Sequence, residues 1–535
     1  MHWRHARVAA QTLPQARVSY YYDDEFFASF CDSSRYCIAR RPPNGNEAMR
    51  FGFDFCMTIG ARAFALLVCC GSALTAQVDH APLSAAAAQQ DFDVLRHALE
   101  EAHGGLYRFV DKAELDRRLD QHRARLSQPI SQLEFASIIF ETVAEIHDGH
   151  ARVELDSLTA LQLGDARVLP LRLALEDNRL VVRFNDSPTN TVVRPGMEVI
   201  SINGRSSDSI IRALSSRMPR DGFIETGRRA RIASGFPQLY WLFIEQADSY
   251  AIVARDAAGA RTNFTLAGIR ERDRRSMNNP ANAAVVSHTS QLDAPPENVS
   301  LEFLDKRQLA RLRVRAFDGQ TFPSVLDSVF RAIRERRTSR LILDLRGNGG
   351  GVDEYGALLL SYFVDHPFRY FDSIKVTTIA PSFATWLPRT FQSLRAGSEP
   401  DSRGGYRITT ALHPGIGIQQ PQSQPYLGKL VVLVDGGSFS TTADVAAHLR
   451  SWRRAVFVGE ETGGTYEGNT SGLNALIVLP NSRLRLKVMM YGYWNAVDAQ
   501  TTGRGVIPER VVPARVVDLL RGRDRALEVA SRLLR

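Results

Sequence analysis

The chain has 535 residues, 44% of them hydrophobic and 23% charged; this composition excludes collagen-like, coiled-coil and wholly disordered readings. The formal net charge is +8, with no lysine- or arginine-rich run, so no nucleic-acid partner is suggested. Cys31, Cys37, Cys56, Cys69 and Cys70 are the only cysteines, which removes thiol nucleophiles, thiolate-bound zinc and disulfides from the main body.

Residues 1–48 show little pattern and read as an extension from an over-long gene start, or as disordered. Residues 49–76 read as a signal peptide: Arg62 precedes an apolar run from Ala63, and small residues close it at Ala76. A membrane anchor and a buried helix are the other readings. The run is short for a bilayer span, so no stable membrane insertion is expected, and the mature protein is expected in the periplasm or secreted.

Helical spacing of Phe92, Leu95, Leu99 and Ala102, and of Phe135, Ile138, Ile139 and Val143, predicts an N-terminal helical region over 85–165. It contains His147-Asp-Gly-His150. Two histidines three apart suit a metal pair, satisfied structural histidines or a catalytic base, and no third metal ligand is evident. Residues 166–271 read as a compact β module with an Asn203-Gly204 hairpin turn and a helix from Ser206. Residues 272–300 are polar and read as a linker. From 301 to 515 apolar strands alternate with helices, which predicts an α/β domain with a largely parallel sheet. A C-terminal helix is expected over 516–535.

Two strand ends carry the chemistry. Leu341-Ile-Leu-Asp-Leu-Arg-Gly-Asn-Gly-Gly-Gly351 ends in four glycines within five positions. Such a loop aims backbone N–H groups at a ligand oxygen, which suits an oxyanion hole at Gly349 or Gly350, or simply a tight turn. It lacks the lysine and spacing of nucleotide loops. Val431-Val-Leu-Val-Asp-Gly-Gly-Ser-Phe-Ser440 then sets a hydroxyl at the start of a helix, with the Thr441 N–H beside it. That arrangement reads as a nucleophile elbow or an ordinary N-cap. A glycine-rich polar loop, Gly459-Glu-Glu-Thr-Gly-Gly464, follows the next strand.

In this order the motifs resemble the tail-specific, C-terminal-processing serine proteases and their tricorn-core relatives. Asp344–Gly351 is similar to that family's glycine loop, Ser438-Phe-Ser-Thr-Thr to its serine motif, and Gly459–Gly464 to the loop after it. Val193-Arg-Pro-Gly-Met197 through Asn203-Gly204 resembles its PDZ module, and Gly505-Val-Ile-Pro508 its closing segment. The resemblance implies a crotonase- or ClpP-like α/β protease domain with an inserted PDZ-like β module, protein or peptide substrates, and no metal or cofactor. Ser440 takes the nucleophile's place. Thr465 stands where the Ser–Lys branch carries its lysine, and only five lysines exist, Lys487 the nearest. The tricorn-type branch draws a histidine from an upstream segment, which His150 matches, and Glu461 or Asp498 is the candidate assisting acid. A histidine base near its ordinary pKa of about 6.5 predicts activity rising through pH 6 to 7. A peptide- or apolar-ligand-binding relative without activity, and an acyl-group enzyme of crotonase type, are the rival readings.

Overall fold

Ser84, Asp111 and Ser131 each accept a backbone N–H three residues on, and so start helices α1 (Ala85–Ala102), α2 (Lys112–Ala124) and α3 (Gln132–Ala144). Ser131 and Glu134 close a reciprocal capping box. The computed structural model describes residues 81–274, 279–292, 297–304, 308–383, 388–498 and 502–535. The expected extension and signal peptide lie outside them. No described helix is long and apolar enough to cross a membrane. After α3 the chain turns at His147–His150 into strand β1 (Arg152–Glu154), and a further helix spans Ser157–Asp165.

The β module is an antiparallel sheet in the order β2 (Leu171–Glu176), β3 (Arg179–Asn185), β4 (Glu198–Ile202), β5 (Ser249–Arg255), β6 (Arg261–Ala267). Asn203-Gly204 turns β4 back onto Arg205–Ser206, as its sequence predicts. Helices α4 (Ser207–Ser215) and α5 (Glu225–Phe243) complete the module. Its core is its own, with Leu171, Val182, Ile210, Ile232, Phe236 and Ile252 among its members. The 19-residue α5 is absent from the sequence reading because Gly227, Gly235 and Pro237 interrupt it and because it buries Arg231 and Gln238 beside its apolar stripe of Ile232, Phe236 and Leu239. The expected linker is also partly structured: a helix spans Ala283–Leu292, and Asn279 and Asn282 bond backbone groups of Ser187 and Asn185.

In the third region β7 (Val299–Phe303) lies antiparallel to β8 (Leu309–Val314). From β8 the sheet runs parallel through β9 (Arg340–Asp344), across to Lys429–Val434 and Val456–Gly459, and ends at Arg510–Val511. The sequence predicts helices over Phe322–Arg336 and Tyr355–Phe363, and α6 (Phe322–Glu335) and α7 (Asp353–Ser361) match these bounds within two residues. A second, antiparallel sheet holds β10 (Phe371–Val376), then β13 (Thr470–Val478) and β14 (Arg485–Asn495), with β11 (Lys429–Val434) and β12 (Val456–Gly459) the parallel strands between them in sequence. This second sheet also holds β1; of its strands the sequence predicts a strand start at Arg152–Leu155 and a strand over Ala475–Leu479, overlapping the end of β13.

β1 pairs with β14, and α1 docks on the same strand. Asp91 of α1 accepts the Asn481 and Ser482 N–H groups of the β13–β14 turn. Gly104, just past α1, donates to the Met489 carbonyl, and a Cβ there would fall 2.4 Å from the Met490 oxygen. The C-terminus forms two short helices, Val516–Leu520 and α9 (Arg525–Leu533), rather than the single expected one; Gly522, at φ +62°, separates them.

Candidate active site

β9 and β11 are neighbouring parallel strands in register, Asp344 beside Leu433, so their C-terminal loops emerge side by side. Ligand sites of α/β sheets form at such strand ends. Asp435 accepts N–H bonds from Gly437 and from Gly347 of the other loop, both at 2.9 Å. Ser438 is buried and spent: it accepts from the Asp435 N–H at 3.1 Å and donates to the Leu345 carbonyl at 2.9 Å. Ser440 then sits at φ +55°, ψ −133°, and helix α8 (Thr441–Ser451) begins. A residue with a Cβ held there costs about 1–3 kcal/mol, strain typical of a nucleophile elbow. Gly350 permits the close approach of the glycine loop, since a Cβ on it would lie 2.6 Å from the Ser440 Cβ.

His150 Nε2 lies 3.1 Å from Ser440 Oγ, across 290 residues of sequence. The ring rests on Phe439, with centroids 4.4 Å apart. Its other nitrogen, Nδ1, faces Asp148 Oδ1 at 3.9 Å. Asp148 in turn receives three donors: the His150 backbone N–H at 2.7 Å, His103 Nε2 at 2.8 Å, and the Thr470 hydroxyl. The tautomer of His103 follows from its second contact. Its Nδ1 accepts the Gly105 N–H at 3.1 Å, so the proton sits on Nε2 and points at Asp148.

Burial opposes charge on Asp148, but the His103 hydrogen bond and the positive potential around it hold its carboxyl below the usual range. Burial pushes the His150 imidazole down to about 4; Asp148 opposes this, and Arg231 and Arg152 add to it. The base is therefore neutral well below the pH 6 to 7 expected from an unperturbed histidine. Asp221, buried beside them, accepts the Gly149 N–H at 2.6 Å; burial and the Asp148 charge push it up. Asp148, His150 and Asp221 each offer an atom within 4.8 Å of the others, within a cation's reach; a metal there would occupy the imidazole that faces Ser440.

The other expected residues divide. Glu461 is not part of this constellation: its carboxylate grips Arg504 at 2.7–2.8 Å and the Gly505 N–H at 2.9 Å. Asp498 accepts from the Tyr466 hydroxyl. The carboxylate that faces His150 is Asp148. Gly350 differs from expectation too, because its N–H is taken by Asn348 Oδ1 at 2.9 Å. The N–H groups of Gly349 and Thr441 have no acceptor among the described residues and remain available to an oxyanion. Thr465, in the lysine's place, is buried and donates to the Gly468 carbonyl. Lys487, from β14, does line the pocket in front of Ser440, a cavity of about 110 Å3 shared with His150, Gly349, Arg152 and Arg231.

The sequence reading assigned no role to His103, Thr470, Asp221, Arg231 or Arg152. Only Asp148 carried a signal, two residues before His150 in the same motif.

Residues 308–512 match the family model of peptidase family S41. The match contains the glycine loop and Ser440 but not His150. No curated protein matches the chain. Among solved structures, mature CPAF aligns with a TM-score of 0.58 and 14% identity over 84% of this chain and 96% of its own. Mature CPAF complexed with lactacystin gives 0.58 and 15% over 84% and 97%. A photosystem II D1 C-terminal processing protease gives 0.41 and 17% over 84% and 97%. At these identities the CPAF likeness is one of fold. Residues 308–512 are thus similar to the peptidases of family S41, and the chain is a serine-type peptidase, a hydrolase.

Proposed function

We propose that this peptidase is an exported enzyme of the tail-specific, C-terminal-processing type that hydrolyses peptide bonds in proteins or peptides, with a histidine base as in the tricorn-type branch. The observation that carries the reading is the 3.1 Å contact of His150 Nε2 with Ser440 Oγ on a strained strand-to-helix turn. Ser440 Oγ attacks the scissile carbonyl while its proton passes to His150 Nε2. The carbonyl oxygen becomes an oxyanion facing the N–H groups of Gly349 and Thr441, each such donor worth on the order of 3 kcal/mol in the barrier. Asp148 stabilises the imidazolium. The C–N bond then breaks and His150 protonates the leaving amine. Water, deprotonated by the same histidine, releases the acid and regenerates Ser440. The mechanism calls on no metal or cofactor. The β module, with its own core and a helix reaching the site, suits a PDZ-like role that docks a substrate tail by strand addition. The apolar segment from Arg62 to Ala76 and the cysteine-free body support export.

A fluorophosphonate should label wild-type protein at Ser440 and leave Ser440→Ala unlabelled, and only the wild type should cut unfolded protein. A wild type that takes no label and cuts nothing would point to the inactive binding relative. Material recovered from the host should begin near Gln77; an intact residue 1 in the cytoplasm would sink the export reading.

A further inference from the structure

We propose that His150 Nδ1, Asp148 and Asp221 form a site for a divalent cation of the zinc type, and that the cation silences the base; the silencing, though not the binding, rests on the peptidase reading above. Each of the three offers an atom within 4.8 Å of the other two. Nδ1 is the ring nitrogen turned from Ser440. It stands 3.9 Å from Asp148 Oδ1, beyond hydrogen-bond range, and is buried with no hydrogen-bond partner among the described residues. Asp221, 2% exposed, brings a second such atom to the group: Oδ1 accepts the Gly149 N–H at 2.6 Å, while Oδ2 is buried without a partner. A carboxylate oxygen and a ring nitrogen buried in this way are costly unless something satisfies them, and one cation satisfies both. Glycine at 149 admits Asp221, since a Cβ there would lie 2.8 Å from Asp221 Oδ1.

One imidazole nitrogen and two carboxylate oxygens are a zinc donor set, whereas magnesium and calcium take oxygen ligands. Tetrahedral zinc, with ligands at about 2.1 Å, spaces them about 3.4 Å apart, so the groups need close by about 1.4 Å at most, and water fills the fourth position. Carboxylates that hold zinc are themselves hydrogen-bonded. Asp148 meets this condition, because it receives the His103 Nε2–H at 2.8 Å and the Thr470 hydroxyl. Arg231 and Arg108 offset part of the negative charge of Asp148 and Asp221, which moderates the affinity. Gly149 and His150 line the cavity in front of Ser440, the path by which a cation enters. A neutral imidazole has one acceptor nitrogen. A cation on Nδ1 occupies it and leaves the ring proton on Nε2. That nitrogen then donates to Ser440 Oγ, 3.1 Å away, and no longer takes the serine proton.

The test uses the untagged mature protein, first stripped of metal. Zinc binding is read by competition with a chromophoric chelator, and cobalt(II) by the visible absorption of a tetrahedral site. We expect both in wild type and in Ser440→Ala, since Ser440 is not a ligand. Asp221→Asn and His150→Ala should each bind zinc about 10-fold more weakly or worse. Micromolar zinc should slow fluorophosphonate labelling of wild-type Ser440 by about 10-fold or more. EDTA should restore the rate, and millimolar magnesium should leave it unchanged. In Asp221→Asn zinc should have little effect on labelling, each rate being compared with the same variant's metal-free rate. Wild type and Ser440→Ala that bind no zinc overturn the inference, whether or not the other variants fold. Zinc held equally by Asp221→Asn, or magnesium as effective as zinc, overturns it as well, because the cation then sits elsewhere. Zinc bound at the site with labelling unchanged overturns the silencing. Metal-free wild type that takes no label overturns the peptidase reading instead, and the binding measurements still decide the site.

Discussion

Ser440 and His150 meet in one pocket but are held there by different means. Ser440 is fixed by its own turn and the adjacent glycine loop, through short backbone-centred bonds between residues 345–350 and 435–441. His150 depends on groups gathered from across the molecule. His103 arrives from the end of α1, Thr470 from the start of β13, 322 residues beyond Asp148, and Asp221 and Arg231 from the β module. The nucleophile is thus a property of one sheet, whereas the base is a property of how three regions dock. Such a base responds to substitutions far from the reacting atoms, and a nucleophile built this way responds to those inside its turn.

Substitutions at three positions bear on that contrast. The largest effect belongs to His150→Ala, which should lower kcat/KM by about 100-fold or more. Wild-type activity, measured against pH, should fall on the acid side near pH 4: below the lowered pKa the imidazole is protonated and cannot accept the serine proton. Half-activity near pH 6.5 would show that docking does not shield the base. Gly350→Ala comes next. Its φ of +116° and the 2.6 Å approach to Ser440 should cost about 1–3 kcal/mol in stability, seen as a lower Tm, and disturb the turn from within. An unchanged Tm and full labelling of Ser440 would mean that the turn is less tightly built. The smallest is His103→Ala, expected to lower kcat by about 10-fold. Loss of its donor raises the Asp148 pKa, so protonation of Asp148, which removes the charge that stabilises the imidazolium, joins the acid limb and should move it up in pH. His103→Gln, which keeps an N–H, should restore part of it. A fall in stability with an unmoved pH profile would leave His103 a structural residue only.

The contrast also explains how much the sequence discloses. The turn at Ser440 is readable because an apolar strand, two glycines and a helix start follow one another without a gap. The Ser–His pair is readable through the resemblance. Glu461 misleads because nothing local shows that Arg504 takes its charge. His103 and Arg231 are invisible because their roles arise only when α1 packs on β14 and α5 reaches the serine loop. The parallel sheet is legible from its continuous apolar runs, such as Leu430–Val434. β14 is not, because Arg485, Lys487 and Tyr491 interrupt an otherwise buried strand.

The left-handed backbone of Ser440 has a bearing on how the enzyme persists. Glycine would occupy φ +55° without penalty, so the substitution that removes the nucleophile is also one that relaxes the fold. Selection for a sturdier protein alone would drift toward the inactive form, and catalysis must be selected directly to hold this serine in place.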